Sequence, residues 1–175
     1  MRADTQHIIE KIGETDQLFL QANQPELALQ RADLRLQLVQ LSQVRQEQEY
    51  FLKEAIVLLE QARFEFEEMP MQLYLDLSSL LGQAYLKYFE ISHERRYALI
   101  AQQILKPLAK ALDGNILFYL AYASAAQQEP AMMRHWLNKY MQTDDCDITR
   151  LKNHSAFEHY HQTEWFQQLL QSKLH

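Results

Sequence analysis

Four ionisable residues toward the C-terminal end have the types and spacing that suit a metal ion. His154, Glu158 and His161 stand at i, i+4 and i+7, with His159 beside them. On one helical face, imidazole and carboxylate donors at such spacing hold zinc. "SAFE", from Ser155 to Glu158, reads instead as a capping box that starts a helix at Ser155 and leaves His154 outside it. "HERRY", His93 to Tyr97, fails as the H-E-x-x-H zinc motif, because Tyr97 stands where the second histidine is required. Glu65, Glu67 and Glu68 crowd three carboxylates together, but they read as the solvated end of a helix rather than a general acid–base pair. No dinucleotide, phosphate-loop or nucleophile-elbow motif occurs. Cys146 is the sole cysteine, so neither an intramolecular disulfide nor a cysteine-rich zinc site can form. The expectation is a non-enzyme with no metal and no cofactor. A helical enzyme or metal-binding protein using the C-terminal histidines is the alternative.

The elements that position these residues are helical. Only 3 Gly and 4 Pro occur in 175 residues, where average usage of the two together is about 12%. Leu, Gln, Glu and Ala dominate, and all are good helix formers. The formal charge is −6 and the acidic residues are spread along the chain. A nucleic-acid partner calls for a basic face, since neutralising phosphates supplies most of the affinity, and the basic pair Arg95-Arg96 is flanked by Glu90 and Glu94. "MRADTQHIIEKIGE" lacks the apolar core of a signal peptide. Apolar stretches are broken by charges well short of the ~20 residues that span a membrane. A cytoplasmic protein with no nucleic-acid and no membrane partner is expected.

Proline supplies the punctuation. Pro25, Pro70 and Pro130 each precede an apolar-periodic segment and mark helix starts. A first helix is expected from Thr5 to Ala22, with Gly13 as its weak point. Between Pro25 and Met69 no Gly or Pro occurs, and Leu27, Leu34, Leu38, Leu41, Phe51, Ala55, Leu58, Leu59, Ala62 and Phe66 recur close to helical periodicity. One long helix is expected there, about 65 Å at 1.5 Å per residue, with a kink near Ser42 to Gln48 as the alternative. Helices from Pro70 to about Glu90 and from His93 to Leu112 follow, the second kinked or split by Pro107, and Asp113-Gly114 stops it. "NILFYLAYASAAQQEPAMMRHWLNKY" then forms a helix, a turn and a helix. An acidic turn leads to short terminal helices, the last capped by Thr163 and running through Leu174. Two parts are expected, residues 1–68 as a helical hairpin with a long second helix and residues 69–175 as further hairpins.

Leu81, Gly82 and Tyr85 in "LLGQAY" match part of the tetratricopeptide-repeat pattern W-x2-L-G-x2-Y, with Ser78 in the Trp position. Leu117, Leu120, Ala121 and Ser124 match it more loosely, and Met133, Leu137 and Tyr140 fall at the second helix's packing positions. Residues 70–170 thus resemble that family, although Gly82 and Ala121 are 39 residues apart where the usual repeat is about 34. The N-terminal part carries only Ile12, Gly13 and Asp16 as an echo. The resemblance implies antiparallel helical hairpins stacked as a short TPR-like α-solenoid, set in an all-α fold and preceded by the long N-terminal helix read from the periodicity. It implies a scaffold or adaptor that binds a protein or peptide in a concave groove. The groove would be lined by Ser79, Gln83, Leu86 and Lys87 in one hairpin and by Asn115, Phe118, Tyr122 and Ala125 in the next. Only Lys87 and Asn115 fit the charged and amide positions that grip a partner's terminal carboxylate, so that specific activity is not implied. A homodimer through the Leu-rich face of the long helix is a further reading.

Overall fold

The proline and capping signals place most helix boundaries within a few residues. The computed structural model describes residues 2–66 and 68–173, so Glu67 and Leu174 lie outside the described residues. Nine α-helices and two 3-10 segments occur among these residues, and no strand does. No described helix is long and apolar enough to cross a membrane. The chain divides into two compact units, Met1–Tyr97 and Ala98–His175. The break expected at 68/69 instead lies inside the first unit.

The first unit holds α1 (Arg2–Gln21), α2 (Pro25–Leu41), α3 (Arg45–Glu65), α4 (Met71–Ser92) and the start of α5 (Arg95–Leu105). Helix α1 packs on α2, α2 on α3, and α3 on α4. The single long helix is therefore wrong. The chain reverses at residues 42–44, and α2 and α3 pack as an antiparallel hairpin.

Polar side chains stop α2 where no Gly or Pro stands. Ser42 and Val44 are extended. The Gln48 side-chain amide donates to the carbonyls of Ser42 at 2.8 Å and Val39 at 3.3 Å. The Ser42 hydroxyl accepts from the Val44 N–H at 3.1 Å and donates to Glu47 at 2.7 Å. Helix-end groups thus find partners within the turn. Burial supplies the drive: Leu34, Leu38 and Val39 on α2 and Leu52, Ala55, Ile56 and Leu59 on α3 are all buried. These leucines are consumed inside the unit, so they offer no face to a second copy.

Charge also binds this unit. Arg35 of α2, 6% exposed, donates to Asp16 of α1 at 3.0 Å, to Glu54 of α3 at 2.8 Å and to the Arg31 carbonyl at 3.1 Å. Arg31 donates to Asp16 at 2.7 Å and lies over the Phe19 ring. Arg31 and Arg35 thus each have an opposite charge and directed hydrogen bonds, the condition under which burying them is tolerable.

In the second unit α5 continues to Leu105 and tightens into a 3-10 segment, Lys106–Ala111, that contains Pro107. Helices α6 (Gly114–Ala126), α7 (Pro130–Tyr140), α8 (Ile148–Asn153) and α9 (Glu164–Gln171) follow, with a second 3-10 segment at Ser155–Tyr160. Asp113 and Gly114 do not stop the preceding helix. Leu112, at φ 54°, closes the 3-10 segment, while Asp113 caps α6 by accepting from the Ile116 N–H at 3.0 Å. Helix α6 is buried without interruption from Ile116 to Ser124, so packing surrounds it on every side. Met133, Trp136, Leu137 and Tyr140 of α7 pack in the same interior.

Candidate interaction surface

The expected groove is filled by the chain itself. Phe118 is 0% exposed and Tyr122 5%, because the His154 ring lies edge-on 5.2 Å from Phe118 and 4.8 Å from Tyr122. Phe157 packs 5.7 Å from Phe118, and the Arg150 guanidinium sits 3.8 Å over that ring. Neither aromatic presents itself to a partner. Asn115 is exposed, but its side-chain oxygen accepts from Arg150 at 2.9 Å. Ala125 is half-buried. On α4, Ser79 and Leu86 are buried in the core, Gln83 is exposed, and the half-buried Lys87 pairs with Glu90 at 2.7 Å. Gly82 is buried on the same helix. Of the eight expected lining residues, the structure leaves only Gln83 and Asn115 fully at the surface.

His154 and His161 have packing roles, while His159 is exposed. His154 caps the 3-10 segment, its Nδ1 accepting from the Ala156 N–H at 3.2 Å. Capping therefore passes to His154 instead of the expected Ser155 box. His161 packs 5.2 Å from the Phe166 ring. Among the described residues no group of three His, Cys, Asp or Glu side chains is placed to hold a metal ion. Thr163 precedes α9 but makes no side-chain cap, donating instead to the Tyr160 carbonyl. The Glu65 carboxylate accepts from Asn23 at 3.3 Å.

A tyrosine stack closes the end of the first unit. Tyr97 stacks on Tyr88 at 4.2 Å and on Tyr85 at 6.4 Å. Burial, the Tyr97 hydroxyl and neighbouring carboxylates push the Tyr88 phenol up to about 12. Burial and the hydrogen bond its hydroxyl donates to the Glu60 carboxylate raise Tyr85. Both phenols therefore stay protonated at neutral pH.

The outer face of α3 carries an open row of apolar side chains. Tyr50, Val57 and Phe64 are 58%, 50% and 86% exposed, and each stands seven residues from the next. Seven residues is two helical turns, so the three line up at intervals of about 10.5 Å. The opposite face, Leu52, Ala55, Ile56, Leu59 and Ala62, is the buried one. Beside the stripe lies an open groove of about 450 Å³ lined by Arg31, Arg35, Tyr50, Lys53, Val57 and Leu58. Two of its lining charges, Arg31 and Arg35, are paired with Asp16 beneath them. Burial pushes the Asp16 carboxyl up, but hydrogen bonds and charge from Arg31 and Arg35 outweigh this and hold it below the ordinary value. Tyr50 donates to Glu54 at 2.9 Å, and that carboxylate raises the phenol. Such a surface offers apolar anchors with a polar rim. Its sequence signal was three apolar residues at heptad spacing, offset from the periodic set assigned to the core.

No family model, no curated protein and no solved structure matches this chain.

Proposed function

We propose that the chain is a protein-interaction scaffold that docks a partner helix along the outer face of α3. The observation that carries this reading is the exposed row Tyr50, Val57 and Phe64 on a helix whose other face is fully used. Isolated exposed apolar residues are ordinary, but a row at two-turn intervals is the spacing a second helix reads when it lays its own apolar face into a groove. Tyr and Phe are suitable anchors, since each adds large apolar area at little cost in side-chain entropy. The TPR-like reading extends to α6 and α7, supported by their tight pairing and by the small residue Ala121 fully buried in α6. The docking face itself moves from the expected concave stripe to α3.

Affinity capture from the native cell, compared between the parent, Val57→Glu and Phe64→Ser, tests this. The partner is expected to be lost from both variants with melting behaviour unchanged, because both side chains are exposed. Loss with Gln83→Ala and Lys87→Ala, alongside full retention by the α3 variants, would place the docking face on α4 instead.

A further inference from the structure

We infer that the outer face of α3 pairs with its own copy, antiparallel, about a twofold axis at Val57; this rests on reading that face as a docking surface. The argument is the arrangement of charge around the stripe. At 100° per residue from Val57, Tyr50 lies at about +20° and Phe64 at about −20°. Lys53 and Glu60 fall on one flank, at about −40° and −60°, with Glu54 and Gln61 on the other at about +60° and +40°. Lys53, Glu60 and Gln61 are exposed and Glu54 half-buried.

A twofold axis perpendicular to two antiparallel helices keeps each flank on its own side and reverses it end to end. Lys53, about 6 Å before Val57 along the axis, then faces Glu60 of the second copy, about 4.5 Å beyond its own Val57. The pair forms twice. On the other flank Glu54, already paired with Arg35, meets the neutral Gln61. Tyr50 meets Phe64 at each end, and Val57 meets itself at the axis. In parallel register the axis runs along the helices and the flanks cross, so Lys53 would meet Glu54, whose charge Arg35 already neutralises, and Glu60 would meet the neutral Gln61. The face is also locally balanced, with Lys53 and Arg35 against Glu54 and Glu60, although the whole chain carries −6. Repulsion from the net charge is therefore relieved at this surface. A single helix pair lies in the small, weak class of interfaces.

Sedimentation equilibrium of the full chain tests this from about 10 μM to about 1 mM, the range in which so small an interface populates a dimer. The average mass is expected to rise from one chain toward two. Val57→Glu, which sets two carboxylates at the axis, should hold the protein monomeric with its helicity unchanged. Lys53→Glu should weaken the dimer about tenfold, since two pairs become repulsive. Lys53→Glu combined with Glu60→Lys should restore it, because the swapped pair is complementary again across the axis.

One-chain mass at every concentration overturns the inference. So does a dimer indifferent to Val57→Glu, or a double swap as weak as the single change. Those outcomes leave the partner-helix reading standing on its capture experiment, which fails only if the α3 variants retain the partner.

Discussion

Replacing Asp16 with Asn removes the anion that ties α1 to α2. Its carboxylate accepts from Arg31 at 2.7 Å and from Arg35 at 3.0 and 3.3 Å. A hydrogen bond to a charged group is worth roughly 1.5–3 kcal/mol, but three such values cannot be added here. The Asp16 side chain is 37% exposed, Asn still accepts one bond, and Glu54 continues to neutralise Arg35. About 2 kcal/mol remains after that discount. The readout must be local, because both Trp residues, Trp136 and Trp165, lie in the second unit. Hydrogen exchange followed on peptides of α1 and α2 should show protection falling about 30-fold at pH 7. Exchange within about twofold of the parent would refute the claim that this network holds α1.

The same carboxylate sets a pH dependence. Its folded-state value is depressed, so the stability it contributes is fully present above the unfolded value, about 3.9, and is lost as pH falls through the folded value. The difference between parent and Asp16→Asn in hydrogen-exchange protection of α1 and α2 should therefore shrink on acidification through that range. A gap that stays constant to low pH would show that the charge is not its source.

Other substitutions probe packing and backbone. Tyr122→Ala should destabilise the second unit by about 3 kcal/mol, seen by Trp fluorescence in urea, because the ring is buried beside His154. An unchanged midpoint would restore the groove reading. Gly13→Ala should stabilise α1 by about 0.5–1 kcal/mol, since a Cβ there meets nothing within 4 Å; a loss in α1 hydrogen-exchange protection would count against it. His93→Gly should gain about 0.5–1 kcal/mol in thermal melts, because His93 ends α4 at φ 59° and is exposed.

How much was legible in the sequence differs between residues for physical reasons. Pro25 and Pro130 mark helix starts correctly because a missing N–H and a fixed φ act locally. Helical periodicity reports which residues share a face, and this placed Leu34, Leu38, Ala55, Leu59 and Ala62 in the core. The same signal cannot tell a helix that continues from one that turns back. At the reversal Gln48 reaches the carbonyls of Val39 in α2 and of Ser42 after it, contacts that exist only once the chain has turned.

The candidate site followed a similar division. Spacing put Phe118 and Tyr122 on one face of α6, but not what lies over that face. His154, Phe157 and Arg150, more than 25 residues away along the chain, cover it. Arg35 read as a surface charge because its partners, Asp16 and Glu54, are each 19 residues away in sequence and meet it only after three helices pack. Local propensity, proline chemistry and apolar periodicity thus determined that this chain is helical and roughly where its helices lie. Burial is a property of pairs of faces, so only the tertiary structure decided which stripe was closed over and which, at Tyr50, Val57 and Phe64, was left open.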